Sequence, residues 1–109
     1  MPIYAVMLAM ISIACPNLVY ADSFKSSEFL TWNKDSQEFY FRTAIGMAGL
    51  IASQNDQHQA RCIEDWYFTK ERTARDAILS AMQQYPDYHP RGVILAVLQK
   101  ACGTFKYSK

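Results

Sequence analysis

Ala74-Arg75-Asp76-Ala77-Ile78-Leu79-Ser80-Ala81-Met82-Gln83-Gln84-Tyr85-Pro86 carries the clearest periodicity in the chain. Ala74, Ala77, Ile78, Ala81, Met82 and Tyr85 recur at i, i+3, i+4, i+7, i+8 and i+11, which is one face of an α-helix. Pro86 excludes helical geometry at Tyr85 and ends the run. Thr69 is placed to cap its start, and Glu71 and Arg75 have the spacing of an i,i+4 ion pair on the wet face.

Working downstream, Pro86-Asp87-Tyr88-His89-Pro90 reads as a rigid turn. Pro90 suits the first position of a further helix, where a missing N–H costs nothing. Val93, Ile94, Val97, Leu98 and Ala101 form the apolar stripe of that helix, and Gly103 is its expected C-terminal cap. Upstream, Ser26 or Ser27 caps a short helix through Trp32. Asp35-Ser36-Gln37-Glu38 then has the form of a capping box. The following Phe39 to Ala52 is apolar nearly all round, which predicts a helix buried on most faces. Ala44, Ala48 and Ala52 recur every four residues, with Gly46 and Gly49 among them. Small residues at that spacing favour close helix packing, which offsets the helix propensity the glycines lack. Residues 53–61 contain no large apolar side chain and read as a loop or frayed end. Cys62 to Phe68 reads as an irregular connection pinned by its aromatics. No strand pattern competes. The expectation is an all-α domain, a small bundle of about four helices, over residues 22–109.

Residues 1–21 are a separate object. They hold no charged side chain, so all 11 Lys+Arg and 10 Asp+Glu fall in the rest of the 109-residue chain. Residues 3–14 are an apolar run, Pro16 and Asn17 interrupt it, and Val19-Tyr20-Ala21 places short side chains before Asp22. This is the layout of a signal peptide cleaved after Ala21. The run is shorter than the roughly 20 residues of a membrane span. No Lys or Arg precedes the run, which leaves two readings, a true start upstream of Met1 or a terminal amine that supplies the positive end. Ser12-Ile13-Ala14-Cys15 also admits a lipobox reading. Export removes Cys15 and leaves Cys62 and Cys102, most simply one disulfide in an oxidising compartment. Closing that loop of about 41 residues contributes roughly 4 kcal/mol in the chain-entropy model. The competing reading is a reactive thiol beside His58 or His89.

Chemistry is sparse. A net charge of +1 gives no basis for nucleic-acid binding. The histidines lack metal-ligand spacing, and no cofactor or metal is expected. The glycines at 46 and 49 are not a phosphate loop, since Lys and a preceding strand are missing. Glu64-Asp65 reads as a solvated pair. His89 reads either as a residue bonded to helix backbone or as a contact residue on a rigid loop.

Phe29-Leu30, Gln37 through Gly49, Arg61-Cys62-Ile63, Thr69, Tyr85-Pro86, His89-Pro90 and Cys102 together give this chain a further character. In spacing and residue class it resembles the Tai/Rap-type immunity family of type VI secretion. Members of that family often carry further cysteines where Trp32 and Tyr40 stand here. The resemblance implies a periplasmic, non-enzymatic protein that binds and inhibits a peptidoglycan amidase effector, and it implies a homodimer. Polar exposure and turn position, independent of any family motif, nominate Gln57, His58, Tyr88, His89 and Arg91 as partner contacts. A small periplasmic acid-stress chaperone is the alternative, and an enzyme using Cys62 or Cys102 is a third class.

Overall fold

A computed structural model describes residues 23–106, and every structural statement below concerns those residues. The expected signal peptide over 1–21 lies outside them. They form helices α1 (Ser26–Phe29), α2 (Lys34–Asn55) and α3 (Gln57–Glu64). A π-helical turn (Asp65–Thr69), α4 (Glu71–Gln84) and α5 (Pro90–Cys102) follow, with no strand among the described residues. The class is all-α, as expected, and Cys62 and Cys102 are bonded. The expected count rises from about four helices to five, because the polar segment 53–61 is helical at both ends. α2 runs through Asn55, the chain breaks at Asp56, and the Asp56 carboxylate accepts from the His58 and Gln59 N–H groups to start α3. Asp56 thus supplies the start signal of a new helix. Gln59, polar in sequence, is buried and donates to the Gly103 carbonyl at 2.7 Å.

The connection expected to be irregular, Cys62 to Phe68, is also helical. It widens into the π-turn over Asp65–Thr69. Such a turn rotates the side chains relative to a regular helix. Tyr67 is then fully buried, while Phe68 stays exposed on the other side. Thr69 does not cap α4. Its hydroxyl donates to Asp65 Oδ1 within the π-turn, and Lys70 occupies the cap position with no side-chain bond.

Two local electrostatic expectations are replaced by tertiary ones. Asn33, one step before the helix, caps α2 through the Ser36 N–H, so Asp35 lies inside the first turn. Glu38 is thereby free of backbone capping and pairs with Arg75 of α4 at 2.7 Å. Glu71, the expected partner of Arg75, instead pairs with Arg42 of α2 at 3.1 Å. Glu71 and Arg75 give up their local i,i+4 pair, and α2 and α4 gain two bridges in antiparallel order.

The core is formed by Phe29, Phe41, Ile45, Ile63, Tyr67, Ile78, Met82 and Leu98, all essentially without solvent contact. The periodic faces of α4 and α5 enter it as expected: Ala74, Ile78 and Met82 from one, Val93, Ile94 and Leu98 from the other. The near-complete burial expected of α2 does not occur. Phe41, Ile45 and Ala52 face inward, but Phe39, Met47, Leu50 and Ile51 are 74, 56, 59 and 53 % exposed. The other elements are too few to cover both sides of a 22-residue helix. The small-residue expectation holds on one side only. A side chain at Gly49 would touch Ile63 Cγ2 at 3.8 Å, whereas one at Gly46 would meet open space.

Candidate functional site: the aromatic turn between α4 and α5

Pro86 and Pro90 bracket a turn whose backbone is held from outside. The Tyr88 carbonyl accepts from both the Ser26 N–H at 2.8 Å and the Ser26 hydroxyl at 2.7 Å. The Pro86 carbonyl accepts from the Ser27 N–H at 2.9 Å. Ser26, nominated by the sequence as a helix cap, is wholly buried and serves as the clamp on this turn. The Tyr88 N–H returns to the Tyr85 carbonyl at 3.2 Å. A turn with its carbonyls bonded to a separate helix has little freedom left to lose on binding.

His89 caps α5: its Nδ1 accepts from the Arg91 N–H at 3.1 Å. Of the two readings of this histidine, the backbone-bonded one describes its geometry. Its ring meets Phe24 edge-on at 5.5 Å. Pro90 is buried at the first helical position, as expected.

Around this turn gather aromatics distant in sequence. Phe24 stacks on Trp32 at 5.3 Å and meets Tyr40 edge-on at 6.4 Å. Tyr85 and Tyr88 meet edge-on at 5.6 Å and are both exposed. Burial raises the Tyr40 hydroxyl above the usual phenol range, and the positive charge of Arg91 acts against that rise. Arg91 therefore sits within electrostatic reach of the cluster. Exposed Tyr, Trp and Arg over a rigid backbone are the side chains most often found at the energetic centre of protein interfaces. Beside the turn, an open groove of about 660 Å³ runs between α4 and α5. Ala77, Ala81, Gly92 and Ala96 line it, with Trp66 and Tyr88 on its rim.

Of the nominated contacts, Tyr88, His89 and Arg91 are brought together here, and Gln57 and His58 are not. Those two lie in the first turn of α3, beside the Asp56–Lys106 ion pair of 3.2 Å. Gln57 Nε2 donates back to the Ser53 carbonyl. The disulfide and the Gln59–Gly103 bond attach α3 to the C-terminal end of α5, while Tyr88–Arg91 lies at its N-terminal start. The two sets are thus separated by the length of α5, about 18 Å. Trp32, Tyr40 and Phe24 escaped the sequence reading because nothing local marks an aromatic as interfacial. Their only signal was residue type.

The sulfurs of Cys62 and Cys102 are joined, which takes both out of use as thiol nucleophiles. No group of three or more His, Cys, Asp or Glu able to hold a metal occurs among the described residues. No protein-family model, curated protein or solved structure matches the chain.

Proposed function

We propose that this protein is an exported immunity protein that binds a peptidoglycan amidase effector of type VI secretion and blocks its active site. The supporting observation is the clamped turn Tyr88–Arg91, which exposes Tyr88 and Arg91 on either side of the buried Pro90 and whose rigid backbone suits insertion into an enzyme cleft. The choice of an amidase as target rests on the sequence resemblance. Co-expression in the periplasm with the cell-wall amidase of an adjacent reading frame is the test. Protection from lysis is expected, and the pair Tyr88→Ala with Arg91→Ala should weaken binding by about 10–100-fold. Lysis that proceeds unchanged beside the folded protein removes this reading.

A second reading, the acid-stress chaperone, is favoured by the exposed apolar side of α2. It requires acid to uncover client-binding surface. Strong binding of an apolar dye together with subunit dissociation near about pH 2–3 supports it, and a silent dye response removes it.

A further inference from the structure

Ile78 and Met82 of α4 and Val93, Ile94 and Leu98 of α5 are all turned into the core. The positions further round, Ala77 and Ala81 on α4 and Gly92 and Ala96 on α5, are short. Between them lies the open groove of about 660 Å³, with a mostly apolar lining. A side chain added at Gly92 would meet nothing within 4 Å, so the room above it is open. The charged residue in the lining is Lys100, in the last turn of α5. It is exposed and makes no ion pair or hydrogen bond among the described residues. Arg42, Arg75 and Lys106, by contrast, are each matched to a carboxylate. Trp66 stands at the Lys100 end of the groove, one turn beyond the Cys62–Cys102 bridge, and Tyr85 and Tyr88 stand at the other.

We infer that this groove binds a single-chain anionic amphiphile, a medium-chain carboxylate, with its head on Lys100 and its tail along α5 toward Tyr88. The site does not depend on the inhibitory role proposed above. Charge complementarity selects the head: one unpaired cation stands at one end of an otherwise uncharged lining. The C-terminal end of α5 is the negative pole of its dipole, so the Lys100 ammonium holds an anion there against that field. Length selects the tail. From Gly92 to Lys100 the helix advances about 12 Å. An extended alkyl chain, with C–C bonds of about 1.5 Å, advances roughly 1.25 Å per carbon, so about ten carbons span the groove. Width favours an alkyl chain over a protein helix. The trough between helices packed about 8–10 Å apart is narrower than a third helix of about 10–12 Å, which would rest on the rim and leave the floor empty. Small-molecule sites of about 300–1,000 Å³ occur between the helices of bundles, with apolar linings and a few polar groups that fix orientation. This groove has that size and that distribution of polarity.

Calorimetric titration of the purified protein with decanoate, kept below its micelle-forming concentration, measures this. One saturable site is expected, with a dissociation constant on the order of 100 μM. Shorter homologues should bind about two- to fourfold more weakly for each carbon removed. Lys100→Gln should weaken decanoate about tenfold and leave decanol, its neutral counterpart, unchanged, whereas a merely structural role for Lys100 would move both. Ala96→Trp and Gly92→Leu both add bulk at exposed positions of the groove. Each should abolish binding of both ligands with helical content retained. Leu50→Glu, on the outward side of α2, should leave the titration unchanged. Absence of a saturable site overturns the inference. So do equal losses of decanoate and decanol in Lys100→Gln, binding that survives both groove-filling variants, or binding lost with Leu50→Glu. A groove that takes no decanoate but whose filled variants lose amidase binding receives a protein segment, and that result overturns the inference as well.

Discussion

Tyr67 shows how a single side chain reports its surroundings. It is fully buried by the π-turn, and its hydroxyl has no hydrogen-bond partner among the described residues. Burial, reinforced by the negative charge of Glu71, pushes its pKa up to about 12, with Arg42 acting in the opposite direction. Burying an unsatisfied hydroxyl costs about 1–3 kcal/mol, so Tyr67→Phe should leave stability unchanged or raise it by about 1 kcal/mol in urea unfolding. The pH dependence has a definite sign. The folded pKa lies above that of the unfolded chain, so the neutral phenol is the form the fold favours. Its contribution is intact below about pH 10 and is lost as the pH rises toward about 12. In Tyr67→Phe that alkaline loss should shrink, which unfolding curves across this window will register. The sequence marked Trp66, Tyr67 and Phe68 as anchoring aromatics but could not say which one turns inward. That choice depends on one widened turn.

At the scale of elements, the exchange of ion pairs between α2 and α4 is the instructive case. Glu71 and Arg75 have ideal local spacing, yet each reaches across to the other helix. The Glu38–Arg75 pair is the shorter and the more sheltered, whereas the Arg42 side chain is 55 % exposed. A double-mutant cycle on Glu38 and Arg75 should give a coupling of about 1 kcal/mol, and one on Arg42 and Glu71 a smaller value. The contrary expectation, a coupling between Glu71 and Arg75, should be near zero. The disulfide acts at the same scale. It joins α3 to the end of α5 across 40 positions of sequence. Replacing both cysteines with alanine should lower stability by about 2–5 kcal/mol, read as a fall in Tm. The helices with a one-sided apolar stripe were legible, α5 with both its ends and α4 with its C-terminal end, although Thr69 does not cap its start. α3 was not, because its start signal is one aspartate in a polar run and its inward positions include a glutamine.

For the whole molecule, the arrangement of surfaces matters more than any residue in them. The Tyr88–Arg91 turn and the Gln57–His58 segment stand at opposite ends of α5, and the bare side of α2 is separate from that turn. A contact at one end of α5 does not by itself bring in the other. If the turn is the inhibitory element, Arg91→Ala should weaken amidase binding about tenfold or more, and His58→Ala should leave it unchanged, as measured by calorimetric titration. Equal losses from both variants would require an interface that wraps the bundle, which a turn inserted into a cleft does not make. The division of the nominated contacts into Tyr88, His89 and Arg91 on one side and Gln57 and His58 on the other could be made only after folding, since positions 57 and 88 carry no mark of their separation in space.

By itself the sequence determined the helical class, the C-terminal end of α4, both ends of α5 and the proline-bracketed turn. Each follows from short-range rules: side-chain periodicity and the geometry proline imposes. Only the tertiary structure decided which side of α2 is covered, which charges pair, and which aromatics gather around Phe24 and His89. Burial depends on how many neighbours a helix has, and an apolar run reads the same whether a core or another molecule covers it. That is why Phe39, Met47, Leu50 and Ile51, indistinguishable in sequence from Phe41 and Ile45, lie on the outside.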